Sequence, residues 1–409
     1  MNDTNILFLA IIKAALQGQR PELPPDIPPE QWQALFELAG IHKMLPLIYE
    51  AVYHHPALAG TALLGRAKQQ VRHQVVSQTL RTEDFWELND RLQAAGVNAL
   101  TVKGIVCRSL YPQPDHRPSS DEDVLIPPAQ LELCHQVLTR FGMTTTGQPQ
   151  DYELPYRKAD SPLYIELHQS LFPPEQTAYG DWNRFFADVH SRATTVQIQG
   201  HSIRTLDHTD HLFYLICHAF KHFLHSGFGI RQVCDILLYA GTYGAVLDWQ
   251  QVLEHCRAIR AERFAAAIFA IGRNYLGFDA QTAAYPESWQ AIQVDERPML
   301  QDLLSAGVYG DASMSRKHSS NITLDAIAAQ RAGKKARGAL LSSLFPTTQQ
   351  LKGRYPYLEK CPYLLPVAWG SRLLKFGAER RNSQHSHAAD ALKIGNERLE
   401  LLKFYGILE

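Results

Sequence analysis

Asp121 and Asp123 stand two residues apart and run directly into Val124-Leu125-Ile126. An apolar run of this kind reads as a buried strand. Strand side chains alternate faces, so the two carboxylates share one face about 7 Å apart, while Glu122 points to the other. Carboxylates so placed suit a hard divalent cation such as Mg²⁺, which takes oxygen ligands, with Mn²⁺ as a substitute. A third acid, Glu166, lies between Ile165 and Leu167 in a second apolar run, Leu163 to His168. An acid flanked in this way is costly to bury unless it is paired or bound to metal. Acid-x-acid spacing alone is weak evidence in a chain with 41 acidic residues, and its plain reading is a solvated strand end. The surroundings strengthen it: a strand, a lysine-glycine turn and a short helix come before the pair, and a strand carrying one acid comes after.

The elements that would position these acids occupy the middle of the chain. Val97–Val102 reads as a strand, Lys103-Gly104 as a turn and Ile105–Leu110 as a short helix. The loop YPQPDHRPSS then leads to the acidic strand, which Pro127 and Pro128 end. Residues 129–141 are helical and stop at Gly142, and Val196–Ile203 reads as a further edge hairpin. Around this α/β middle the pattern is helical. Five prolines between 21 and 29 make a stiff connector, with Pro29 suited to a first helical turn. Arg66 to Ala95 is a long helical stretch closed by Gly96, and helices recur through 208–290 and 388–405.

A length of 409 residues implies two or three domains, and the pattern marks four regions: helical 1–95, an α/β core 96–205, helical 206–290 and mostly helical 291–409. Forty basic against forty-one acidic residues give a net charge of -1, so global charge points neither to nucleic acid nor to a membrane surface. The six cysteines show no C-x-x-C spacing and read as reduced, mostly buried thiols. Ile6–Leu16 has the length of a signal segment but lacks a basic lead and is interrupted by Lys13, so it reads as a first core helix. The expected location is the cytoplasm, with no membrane span.

The order strand, glycine turn, helix, acid-x-acid strand, helix, then an acid on a later strand resembles the DNA polymerase beta-type nucleotidyltransferase superfamily. The run VKGIVCRSLYPQPDHRPSSDEDVLI is similar to a bacterial group of uncharacterised nucleotidyltransferases, in which a K-G turn precedes a Y-P loop, an R-P and a D-x-D. YIELH at 164–168, HAFKH with the downstream Asp235, and the LFPT…YPYLEKCPYLLP segment echo the same group. The resemblance implies an α+β fold, with a small mixed-sheet core flanked by N-terminal and C-terminal helical regions. It implies metal-dependent transfer of a nucleoside monophosphate from an NTP to an acceptor: a small molecule, a peptide, a protein or an RNA end. Asp121 and Asp123 would hold two Mg²⁺ ions and Glu166 would serve as third ligand or base. Gly104 would let phosphate approach the N–H groups of the short helix. The superfamily's turn is usually Gly-Gly or Gly-Ser, so either Lys103 would replace a serine contact with a point charge or the site would bind a different phosphate group.

Other candidates carry plainer readings beside the functional ones. Arg117 suits bidentate phosphate contact, whereas Ser119 and Ser120 either join it or close a turn. His218, Lys221 and His222 fall within about one helical turn and either face a triphosphate or simply tip a packed helix. His218 and His222 also have i, i+4 zinc spacing, although no HExxH glutamate lies between them. Arg231 and Asp235 read as a helix ion pair, with Asp235 partly buried. The basic residues Arg316, Lys317, His318, Arg331, Lys334, Lys335 and Arg337 read as solvated surface or else as a guide for a polyanionic acceptor such as RNA, although sparse aromatics argue against base stacking. Tyr355, Tyr357, Tyr363 and Trp369 read as core. The rival from another class is a non-catalytic module that keeps the fold to bind a nucleotide or a partner.

Overall fold

A computed structural model of the protein describes residues 1–174, 178–225, 227–283, 285–306, 314–333, 348–351, 355–371 and 387–409. Four helices come first: α1 (Asp3–Leu16), α2 (Pro29–Ile41), α3 (Leu45–Val52) and α4 (Ala62–Ala94). Proline occupies the first turn of α2, where its missing N–H costs nothing. The Thr61 hydroxyl accepts from Leu64 N at 3.2 Å and caps α4. That helix ends where Gly96 takes a φ of 77°, a conformation cheap for glycine. One face of α4 is buried through Val71, Gln78, Thr82, Phe85, Leu88 and Leu92.

A five-stranded mixed sheet follows, formed by β1 (Leu100–Val102), β2 (Glu122–Leu125), β3 (Met143–Thr145), β4 (Glu153–Lys158) and β5 (Tyr164–His168). Its spatial order is β1-β2-β5-β4-β3, and only the β2–β5 pair is parallel. Short helices α5 (Gly104–Arg108) and α6 (Leu131–Arg140) follow β1 and β2. The sheet and its flanking helices are the α+β arrangement that the sequence implies. Three of its strands lie where the apolar runs place them. The other two, β3 and β4, do not show in the sequence: β4 reads Glu-Leu-Pro-Tyr-Arg-Lys, and only Leu154 and Tyr156 are buried. A proline and three charges in six residues hide the alternation.

After α7 (Val189–Arg192), strands β6 (Thr194–Ile198) and β7 (His201–Thr205) form a separate two-stranded sheet. The expected hairpin is there, but it does not extend the edge of the main sheet. Its turn has positive φ at both Gln199 (52°) and Gly200 (88°), which matches the right-handed twist of a tight hairpin. The helices α8 (His208–His225), α9 (Ile230–Tyr243), α10 (Trp249–Ala258) and α11 (Glu262–Ile271) come next.

The chain forms two compact units. The first comprises residues 1–175, 181–219 and 229–308, and holds the sheet. The second comprises 176–180, 220–228 and 309–409. Within the second, the Thr323 hydroxyl donates to Leu224 O at 2.8 Å, and the buried Arg398 donates to Phe223 O. Leu351, Tyr355, Leu358 and Ala368 form a small core there, against which Trp369 packs. Tyr357 and Tyr363 do not share it; Tyr363 is 76% exposed. Of the basic stretch, Lys334, Lys335 and Arg337 lie outside the described residues. All six cysteines are free thiols, and five are buried. Among the described residues, no helix is long and apolar enough to cross a membrane.

Candidate metal centre

The register of the sheet brings the acids together. Val102 pairs with Asp123 across β1 and β2, and Asp123 pairs with Glu166 across the parallel β2–β5 ladder. Asp123 and Glu166 are therefore side by side on one face, and His168, two residues beyond Glu166, shares that face. Donor atoms of Asp123, Glu166 and His168 all lie within 4.8 Å of one another. His168 Nε2 is 3.2 Å from Asp123 Oδ1, and His168 Nδ1 is 4.0 Å from Glu153 Oε2 on β4. Asp121, just ahead of β2, is half-buried and accepts from Ser120 Oγ at 3.0 Å.

One cation is built into this face. Lys103 Nζ lies 2.7 Å from Asp123 Oδ2 and 3.3 Å from His218 Nε2. Its backbone N–H donates to His211 Nε2 at 3.0 Å. His211, Tyr214 and His218 recur at three and four residues along α8, so one helical face is turned toward Lys103. Burial drives the His211 imidazole down to about 3, so the ring is neutral. Because its Nε2 accepts from Lys103, the ring proton sits on Nδ1 and donates to Thr205 Oγ1 at 3.1 Å.

The charges on this face are not balanced. Burial opposes ionisation of Asp123, but Lys103 and then His168 outweigh it and hold that carboxyl well below the usual range. Burial also opposes the charge on Lys103, and Asp123 with Tyr214 and Asp121 more than restores it. Burial first, then repulsion from Asp123, Asp121 and Glu153, pushes Glu166 up to about 8. Lys103 also favours ionisation of Glu166, but more weakly than it is opposed. A buried carboxylate crowded by other acids gains from a further cation beside it. The donor chemistry, oxygens with one imidazole nitrogen, fits Mg²⁺ or Mn²⁺.

The opposite face of β2 is a separate, closed network. Glu122 is fully buried; its Oε1 accepts from Arg108 Nη1 and its Oε2 from Ile105 N, both at 2.8 Å. Arg108 Nη1 also donates to Ser119 Oγ at 2.9 Å. A methyl group on Gly104 would lie 2.0 Å from Glu122 Oε2. A side chain at 104 would therefore push the Glu122 carboxylate off its partners, and the Ile105 amide expected to meet phosphate already has one in Glu122.

Several other candidates also turn inward. Arg117 is buried and donates to Asp235 through Nε at 2.7 Å and Nη2 at 2.6 Å, and the Tyr111 hydroxyl donates to the same carboxylate at 2.9 Å. Asp235 is buried and partnered, but by Arg117; the guanidinium of Arg231 donates instead to Pro118 O. Ser120 remains exposed beside Asp121. Lys221 and His222 are half-buried and belong to the second unit. The ammonium of Lys103 stands where a zinc ion on His218 Nε2 would have to sit.

His168, His211 and Tyr214 escape a reading of the sequence alone. His168 carried a usable signal, its i+2 spacing from Glu166. His211 and Tyr214 carried only a helical spacing to His218, which many core residues share.

No curated protein matches the chain. A crystal structure of an antigenic nucleotidyltransferase-like protein from Paracoccidioides brasiliensis aligns over 53% of this chain and 97% of that one, at 13% identity and a TM-score of 0.31. The family described as "Uncharacterised nucleotidyltransferase" matches residues 28–277, a span that includes the whole five-stranded sheet and the acids it brings together. The chain belongs to that nucleotidyltransferase family.

Proposed function

We propose that the protein transfers the nucleoside monophosphate of an NTP to an acceptor hydroxyl or phosphate, with pyrophosphate leaving, using a divalent cation that Asp121, Asp123 and Glu166 would hold. The observation that carries this is the pairing of Asp123 with Glu166 on adjacent strands, with the Glu166 carboxyl pushed up to about 8 by burial and then by the neighbouring acids. A bound divalent ion would supply a counter-charge, steady the phosphates and ease loss of the acceptor's proton. His168 Nε2 lies 3.2 Å from Asp123 Oδ1, and the Lys103 ammonium forms an ion pair with Oδ2 at 2.7 Å. Positioning and charge neutralisation then account for the remaining work of the chain in this reaction class.

The acceptor class and the NTP are open to direct assay. Full-length protein is incubated with each α-labelled NTP, Mg²⁺ or Mn²⁺, and cell extract. Label should enter an acceptor with the wild type, and its rate should fall about 100-fold or more in Asp123→Asn and Glu166→Gln.

One observation favours the binding module instead. In this turn the Lys103 amide is taken by His211 and the Ile105 amide by Glu122, so neither is free to cradle a triphosphate. If nucleotide binds equally well to wild type and Asp123→Asn, without metal and without label transfer, the module is the better account.

A further inference from the structure

Lys103 holds a backbone conformation that an L-residue rarely adopts, with φ 58° and ψ -112°. Only glycine takes such angles cheaply, and a side chain there costs roughly 1–3 kcal/mol. The strained peptide is pinned from outside by His211, which accepts its N–H at 3.0 Å. What the strain secures is visible at the far end of the side chain: an ammonium 2.7 Å from Asp123 Oδ2, in the interior of the protein.

That contact decides how many ions the centre has room for. Two ions about 3.5–4 Å apart need a carboxylate that bridges them, one oxygen to each. Asp123 is the acid best placed to bridge, being central on the face and paired directly with Glu166. Its Oδ2 is paired with Lys103, while Oδ1 lies 3.2 Å from His168 Nε2, and Asp123, Glu166 and His168 each offer a donor atom within 4.8 Å of the others. Charge agrees with geometry. Once Glu166 is ionised, as a bound ion requires, Asp121, Asp123 and Glu166 less the Lys103 ammonium leave two negative charges, the complement of one divalent ion. Glu153 adds to the field from the rim, where its side chain is 31% exposed and water screens it.

We propose that this centre takes a single divalent ion, on the Asp123 Oδ1, Glu166 and His168 side, and that the Lys103 ammonium permanently occupies the place of a second. The proposal rests on the metal-dependent function proposed above. Lys103 is then neither a phosphate ligand nor a passive turn residue. It is a fixed unit charge, delivered by a conformation that glycine would adopt without strain.

Manganese stoichiometry tests this without relying on turnover. Full-length protein, saturated with a non-hydrolysable α,β-methylene NTP, is titrated with Mn²⁺ and followed by electron paramagnetic resonance. Wild type should saturate at one bound ion per chain, with no spin–spin broadening. Lys103→Gly, which suits the backbone angles, and Lys103→Met, which keeps the side-chain length, should each admit a second ion with the broadening of a coupled pair. Two ions on the wild type would overturn the proposal, as would one ion on both variants once circular dichroism shows them folded. Failure of the underlying reading looks different: no bound Mn²⁺ at all, or binding that Asp123→Asn leaves unchanged. Because the wild-type count is decisive alone, a variant that fails to fold does not shield the proposal.

Discussion

Glu166 is the residue on which metal affinity should depend most visibly. In the ion-free protein its carboxyl is raised from the ordinary 4.5 to about 8, by burial and then by neighbouring acids. The folded form therefore holds a proton that the unfolded chain releases. This contribution to stability is complete below about pH 4.5 and is lost as pH rises to about 8. Stability of the ion-free protein should fall across that window, and the fall should be absent in Glu166→Gln, as urea titrations at several pH values will show. Binding a cation must expel the same proton, so affinity for Mg²⁺ or Mn²⁺ should rise up to about tenfold per pH unit below pH 8. Calorimetry at pH 7 in buffers of different ionisation enthalpy should find close to one proton released by wild type and none by Glu166→Gln. How much of this was legible in the sequence depends on the residue. Asp121, Asp123 and Glu166 were visible because strand alternation sorts side chains by parity. The partner of Lys103 was not, since a lysine before a glycine reads equally well as a phosphate contact, and only the turn's backbone angles aim it at Asp123.

At the scale of elements, β2 is held by its other face. Glu122 and Arg108, with side chains 0% and 1% exposed, form an ion pair with no water to replace either partner. Glu122→Gln leaves the guanidinium uncompensated and should cost about 3–5 kcal/mol in chemical denaturation, whereas Glu122→Leu combined with Arg108→Met should recover most of the loss. Gly104→Ala should also destabilise, because the added methyl displaces the same carboxylate from α5. These losses should appear in folding and not as a selective loss of ion binding by protein that remains folded. The sequence made β1, β2 and β5 plain because each is an apolar run. It hid β3 and β4, whose pairing is set by tertiary contact and not by their own composition. The arginine and serines of the loop before β2 suggest phosphate ligands by type alone. In the fold, Arg117 instead ties that loop to α9 through Asp235, a long-range contact that no local pattern announces.

For the whole molecule, an ion that binds only the folded chain must stabilise it. At a hundredfold excess over its dissociation constant the gain is about 2.7 kcal/mol. The chain forms two compact units and the acids all lie in the first, so calorimetric unfolding should show Mn²⁺ raising the transition of that unit. Asp123→Asn should abolish the increase. The helical flanks around an α/β middle were evident from the sequence, but the second unit was not, because it gathers residues 176–180 and 220–228 with the distant C-terminal segment. The most direct measurement is anomalous diffraction from crystals of the full chain grown with Mn²⁺ and the α,β-methylene NTP. A manganese peak within bonding distance of Asp123 and Glu166 is the expected result. A nucleotide bound without manganese on those two carboxylates, or manganese bound only elsewhere, would contradict the account.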